Sequence, residues 1–101
     1  MLLKEVMFDD RSPYWTNNRD YNWFFLRSTE QFINQYIQCH GGISLEKICE
    51  VLGVRCDSED KEKYMKKIEY NPYGYIEFET FHQPNNTYLI HILYSECTLS
   101  P

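Results

Sequence analysis

Two hydrophobic periods divide this chain, and together they restrict its fold more than any other feature. Phe32, Ile33, Tyr36 and Ile37, then Leu45, Ile48, Val51 and Leu52, recur at spacings of three and four. Ile76, Phe78 and Thr80, then Tyr88, Ile90, Ile92 and Tyr94, recur at every second position. The first period lays an apolar stripe along a helix and the second lays an apolar face on a strand. The chain is therefore expected to be α+β, with two to three short helices packed on a small antiparallel sheet of about three to four strands.

Local signals set the expected boundaries. Ser28-Thr29-Glu30-Gln31 has the form of a capping box, and Gly41-Gly42 supplies a left-handed stop, which predicts a helix over 29–40. Ser44 is a second N-cap, Ile43 and Ile48 stand at hydrophobic-staple positions, and Gly53 closes a two-turn helix from Leu45 to Leu52. Asp57-Ser58-Glu59-Asp60 ahead of Lys61, Lys63, Lys66 and Lys67 orders charge as a helix dipole prefers, so a third helix is expected near 58–66. Asn71-Pro72-Tyr73-Gly74 matches a type I turn joining strands near 67–70 and 75–81. A Gln-Pro-Asn-Asn loop leads to the last strand, Tyr88 to Tyr94. Both of its alternating sets are apolar or amphipathic, which makes it a central strand or one covered by a partner.

Upstream, Leu2 to Phe8 reads as an edge strand, and residues 9–22 read as an irregular arm pinned by Tyr14, Trp15 and Tyr21. Phe24, Phe25 and Leu26 are assigned to the core. The organisation expected is one domain over 1–101, with a partly irregular arm (1–27), a helical part (28–66) and antiparallel hairpins (67–95).

Composition excludes several function classes. No uncharged run approaches the ~20 apolar residues of a membrane span; the longest, Thr80 to Ser95, contains Pro84, Asn85 and Asn86. The first residues form no secretory signal, so a cytoplasmic location is the default expectation. Cys39, Cys49, Cys56 and Cys97 contain no Cys-x-x-Cys pair and are expected to be free thiols. His40, His82 and His91 add donors without paired metal-ligand spacing. No cofactor signature is present, and neither Cys39 nor Cys49 carries the sequence context of an activated nucleophile. The chain is expected not to be an enzyme.

Charge is distributed unevenly. Ten Lys and Arg stand against fifteen Asp and Glu, yet no base follows Lys67, while Glu69, Glu77, Glu79 and Glu96 give the last third a charge of minus four. A phosphate backbone would be repelled from that region. The run Ile43 to Val54 has the look of the first helix of a helix-turn-helix, which raises a winged-helix regulator as an alternative. Its recognition helix over 57–67 would hold four acidic and four basic residues, which disfavours nucleic acid as a partner. A small thiol- or metal-dependent enzyme is the second alternative.

Arg19-Asp20-Tyr21-Asn22, the helix holding Phe32, Asn34 and Tyr36, the run Gly42-Ile43-Ser44-Leu45 with Ile48, the run Leu52-Gly53-Val54, and Gly74-Tyr75-Ile76-Glu77-Phe78 carry a resemblance across most of the chain. In these residues the chain resembles a family of small uncharacterised phage and prophage proteins grouped as a domain of unknown function. It departs from that pattern at Tyr64 to Tyr70, which lacks the Gly-Trp pair usual before the hairpin. The resemblance brings no catalytic residues. It implies a non-enzymatic protein of phage-like origin, working in a host cytoplasm by binding proteins, including components of host defence such as those an anti-CRISPR protein inhibits.

Exposed Tyr and Trp are enriched at protein interfaces, and Tyr70, Tyr73 and Tyr75 crowd the hairpin turn. The expected partner-binding residues are Glu69, Tyr73, Tyr75, Glu77 and Glu79, facing a protein with a basic surface. The sequence leaves the oligomeric state open, a dimer included.

Overall fold

The structure is a computed structural model and describes residues 2–55 and 74–96. Among these residues the element order is β1 (Leu2–Phe8), α1 (Arg19–His40), α2 (Leu45–Leu52), β2 (Gly74–Gln83) and β3 (Thr87–Glu96), with a 3₁₀ turn at Pro84–Asn86. Two helices pack on a three-stranded antiparallel sheet of order β1-β3-β2, the expected α+β class with β3 in the centre. The expected helix at 58–66, the strand at 67–70, the turn residues Asn71 to Tyr73 and the lysine run lie outside the described residues.

Helix α1 begins at Arg19, not at Thr29. Asn18 is its N-cap: extended at φ −128° and ψ 113°, it accepts the Tyr21 N–H at 3.0 Å. Ser28 therefore lies mid-helix and exposed. The capping box misled because nothing between Arg19 and Arg27 breaks a helix, and the buried stripe Asn22, Leu26, Thr29, Ile33, Ile37 runs straight through it. That stripe also corrects Phe24. Two positions from Leu26 is about 200° around the helix, so Leu26 is fully buried and Phe24 is 65% exposed. Phe25 is half-buried, stacked at 5.4 Å on Phe8 and 5.3 Å on Tyr14.

Helix α2 starts and stops as its sequence predicts. Ser44 Oγ accepts the Lys47 N–H at 3.1 Å, and Gly53 at φ 70° ends the helix. Gly53 is also crowded, since a Cβ there would stand 2.6 Å from Ser12 Oγ and 2.9 Å from Pro13 Cδ. Ser12 Oγ donates to the Leu52 carbonyl at 2.9 Å, so the 9–18 segment is fastened over the C-terminus of α2.

The same segment is pinned at its other end. Trp15 Nε1 donates to the Asn86 carbonyl at 2.9 Å, as does Asn22 Nδ2 at 3.1 Å. Asn22 is fully buried and also accepts the Thr16 N–H at 2.9 Å, so one amide ties the arm, α1 and the β2–β3 turn together. That turn is tighter than the expected loop because Asn85 (φ 63°) and Asn86 (φ 59°) both take the left-handed region, which Asn tolerates. β2 and β3 consequently extend to Gln83 and from Thr87.

The core forms between the helices and one face of the sheet: Phe8, Leu26, Ile33, Leu45, Ile48, Leu52, Phe78, Ile90 and Ile92 are at most 2% exposed. Complete burial of each such side chain stabilises by roughly 1.5–3 kcal/mol. The outer edge of β2 is satisfied by side chains of α1. Asn34 Oδ1 accepts the Ile76 N–H at 2.7 Å and Asn34 Nδ2 donates to the Ile76 carbonyl at 2.9 Å. Glu30 Oε2 accepts the Phe78 N–H at 2.7 Å, and Arg27 donates to the Phe78 carbonyl at 3.2 Å. A row of three helical side chains thus occupies the edge hydrogen-bonding positions of Ile76 and Phe78, which would otherwise be open to pairing with another chain.

Candidate interaction face

Among the described residues the helices cover one side of the sheet and leave the other open. On β3, Ile90 and Ile92 turn to the core, so Leu89, His91 and Leu93 turn outward. Register then fixes their neighbours. His91 lies between Glu5 of β1 and Glu79 of β2, Leu93 between Leu2 and Glu77, and Leu89 between Met7 and Phe81, with Tyr75 opposite Ser95.

His91 organises the centre of this face. Its Nε2 is 2.8 Å from Glu5 Oε2, its Nδ1 is 3.6 Å from Glu79 Oε1, and the Phe81 ring meets it edge-on at 5.0 Å. Glu5 and Glu79 keep more than half of their side-chain surface. Around this centre, Leu2 is 52% exposed, Phe81 39%, Met7 38% and Tyr75 36%. Alternate positions on a strand are about 7 Å apart and β1 lies about 10 Å from β2 across the sheet. Glu77 and Glu79 therefore stand close together along β2, and Glu5 faces them from the far strand.

Of the expected partner-binding residues, Tyr75, Glu77 and Glu79 come together here, all exposed on the outward face of β2. Glu69 and Tyr73 lie outside the described residues. Sequence reading missed Glu5, Met7, Leu2 and Phe81. The outward position of His91 was legible from alternation, but its two carboxylate neighbours depend on β1 pairing with a strand some eighty residues away, for which the chain carries no local signal.

Other candidate chemistry disperses. Cys39 is an exposed free thiol and Cys49 is buried in the core. His40 is engaged with its own helix, stacked 4.0 Å from Tyr36 with Nδ1 3.2 Å from the Tyr36 carbonyl. Among the described residues no group of three or more His, Cys, Asp and Glu is placed to hold a metal ion. A groove of about 640 Å³ beside β1 is lined in part by Asp9, Arg11, Ser12 and Gly53. Arg11 there is committed to Asp9 at 2.8 Å, a hydrogen-bonded pair that holds the Asp9 carboxyl below its ordinary range and raises the guanidinium. No helix among the described residues is long and apolar enough to cross a membrane. No protein-family model, curated protein or solved structure matches this chain.

Proposed function

We propose that this chain is a non-enzymatic protein-interaction domain that captures a partner with a basic surface on its open sheet face. The observation that carries the reading is the composition of that face by register. It presents Glu5, Glu77 and Glu79 around His91, bordered by exposed Leu2, Met7, Tyr75 and Phe81, and none of its described positions is Lys or Arg. Exposed apolar side chains set beside solvent-exposed carboxylates supply both halves of an interface, a desolvated anchor and a charge pattern that steers the partner.

A cationic groove built to bind nucleic acid is the surface such a face fits, because carboxylates then stand where phosphates would. Joined to the resemblance to phage and prophage proteins, this reading makes a host defence effector, such as a CRISPR complex, the partner class to test first.

The test is affinity capture from a host lysate with the wild-type chain and with Glu77→Lys/Glu79→Lys, both checked by circular dichroism. Wild type is expected to retain a partner that the double variant loses, and retention should weaken as salt is raised. Equal capture by the folded double variant overturns the assignment. A labelled DNA duplex at low salt should show no shift; binding at micromolar protein would favour the winged-helix regulator.

A further inference from the structure

Helix α1 turns its outer face to solvent, and that face carries almost no charge. From Tyr21 to Cys39 the helix holds two charged residues, Arg27 and Glu30. Both are half-buried, pair with each other at 3.1 Å and turn to the β2 edge, where they bond the backbone of Phe78. The positions opposite the buried stripe are Tyr21, Phe24, Ser28, Gln31, Phe32 and Gln35, all exposed. Tyr21 is 52% exposed, Phe24 65% and Phe32 47%. A solvated helix face ordinarily carries charged side chains. One that sets three open rings among serine and glutamine has the form of a contact surface.

Spacing and charge select the occupant. Phe24, Ser28 and Phe32 stand four residues apart in one row, with the small residue in the middle. The row is therefore symmetric about Ser28 and presents the same groups in the same order when reversed. Rows of this kind interdigitate when two helices cross at about −50°. With two copies antiparallel about a two-fold axis at Ser28, Phe24 of each meets Phe32 of the other, and Tyr21 meets Gln35. A chain of net charge minus five repels a copy of itself least across an uncharged face. A highly charged partner finds nothing to recognise there.

We propose that the outer face of α1 is a homodimer interface, an antiparallel pair of α1 helices centred on Ser28. The Phe32 ring is already oriented for it, tilted against Tyr36 with centroids 6.2 Å apart. Three rings per copy at about 200 Å² each, roughly half open, bring about 600 Å² of aromatic surface to the pair. A specific interface needs about 1,200 Å² or more, so the serine and glutamine side chains must supply the rest, and the dimer is a weak one with a dissociation constant of about 10–100 μM. Because the buried stripe of α1 faces the sheet, this pairing joins the two copies through their helices and leaves the open sheet face of each pointing outward. The dimer is independent of the sheet-face reading, whose carboxylates take no part in it.

The experiment is sedimentation velocity on the full chain from about 5 μM to 1 mM. The mass is expected to rise with concentration from that of one chain to that of two. Phe24→Glu, at an exposed position, sets a carboxylate against the facing ring and should weaken association at least tenfold with circular dichroism unchanged. Glu79→Lys, on the sheet face, should leave it as it is. Placement is read by disulfide capture in a Cys39→Ser/Cys56→Ser/Cys97→Ser background. Ser28→Cys lies on the two-fold axis and should cross-link under mild oxidation, whereas Gln38→Cys residues would stand about 30 Å apart along the helices and should not. A monomer mass throughout overturns the proposal. So does a dimer that survives Phe24→Glu, or one cross-linked through Gln38→Cys and not through Ser28→Cys.

Discussion

Asn34→Ala removes both side-chain bonds that close the β2 edge at Ile76, and its cost can be worked from the structure. Asn34 is half-buried on α1, and Ile76 is 1% exposed. Each lost hydrogen bond costs about 0.5–1.5 kcal/mol net, with a further penalty where a buried N–H or C=O is left unpaired. For one N–H and one C=O, partly relieved by water entering at the edge, this amounts to roughly 2–4 kcal/mol. Alanine returns about 0.5 kcal/mol through its better helix propensity. The expected loss is therefore roughly 1.5–3.5 kcal/mol, a large share of the ~5–15 kcal/mol that holds a domain together. Urea unfolding followed by circular dichroism measures it as a fall in midpoint at constant slope. Gln35→Ala, at the neighbouring exposed position, is the control and should stay within about 0.5 kcal/mol of wild type. An Asn34→Ala variant no less stable than that control would show that the α1 side chains do not hold the sheet edge.

Phe24→Ser should change stability by less than about 1 kcal/mol, whereas Leu26→Ala should cost about 2–5 kcal/mol; comparable losses from both would refute the helix facing, and the same urea series decides it. Gly53→Ala imposes a side chain at φ 70° and displaces Ser12 from the Leu52 carbonyl, for a loss of roughly 2–3 kcal/mol. Calorimetry should show a melting temperature lower by about 10 °C or more. The Asp9 carboxyl, held below its ordinary range by Arg11, contributes stability that is complete above the unfolded-state pKa and is lost as pH falls through its lowered folded-state pKa. Asp9→Asn should flatten that acid limb in urea midpoints measured across the range, and only slightly, because the Arg11 partner is exposed to solvent.

The fold class was legible because the two hydrophobic periods are cleanly separated, and α2 was legible to the residue because Ser44 and Gly53 bound one short apolar stripe. The start of α1 was not, because the capping box at Ser28 is a purely local pattern, and the chain takes the cap that long-range bonding supports. Asn18 caps α1 one turn before Asn22, whose amide is held by Thr16 and by the Asn86 carbonyl, so the hairpin turn helps decide where the helix begins. The candidate face divides along the same line. Tyr75, Glu77 and Glu79 were legible because alternation along one strand settles which way they point. Glu5 was not, because its place beside His91 is a product of register between the first strand and the last. A sequence states faces within an element, whereas a surface assembled from three strands exists only once their pairing is known. Glu5 accordingly supplies the sharpest check on the assembled face: if the face acts as a unit, Glu5→Lys should weaken partner capture as Glu79→Lys does, although the two residues belong to opposite edges of the sheet.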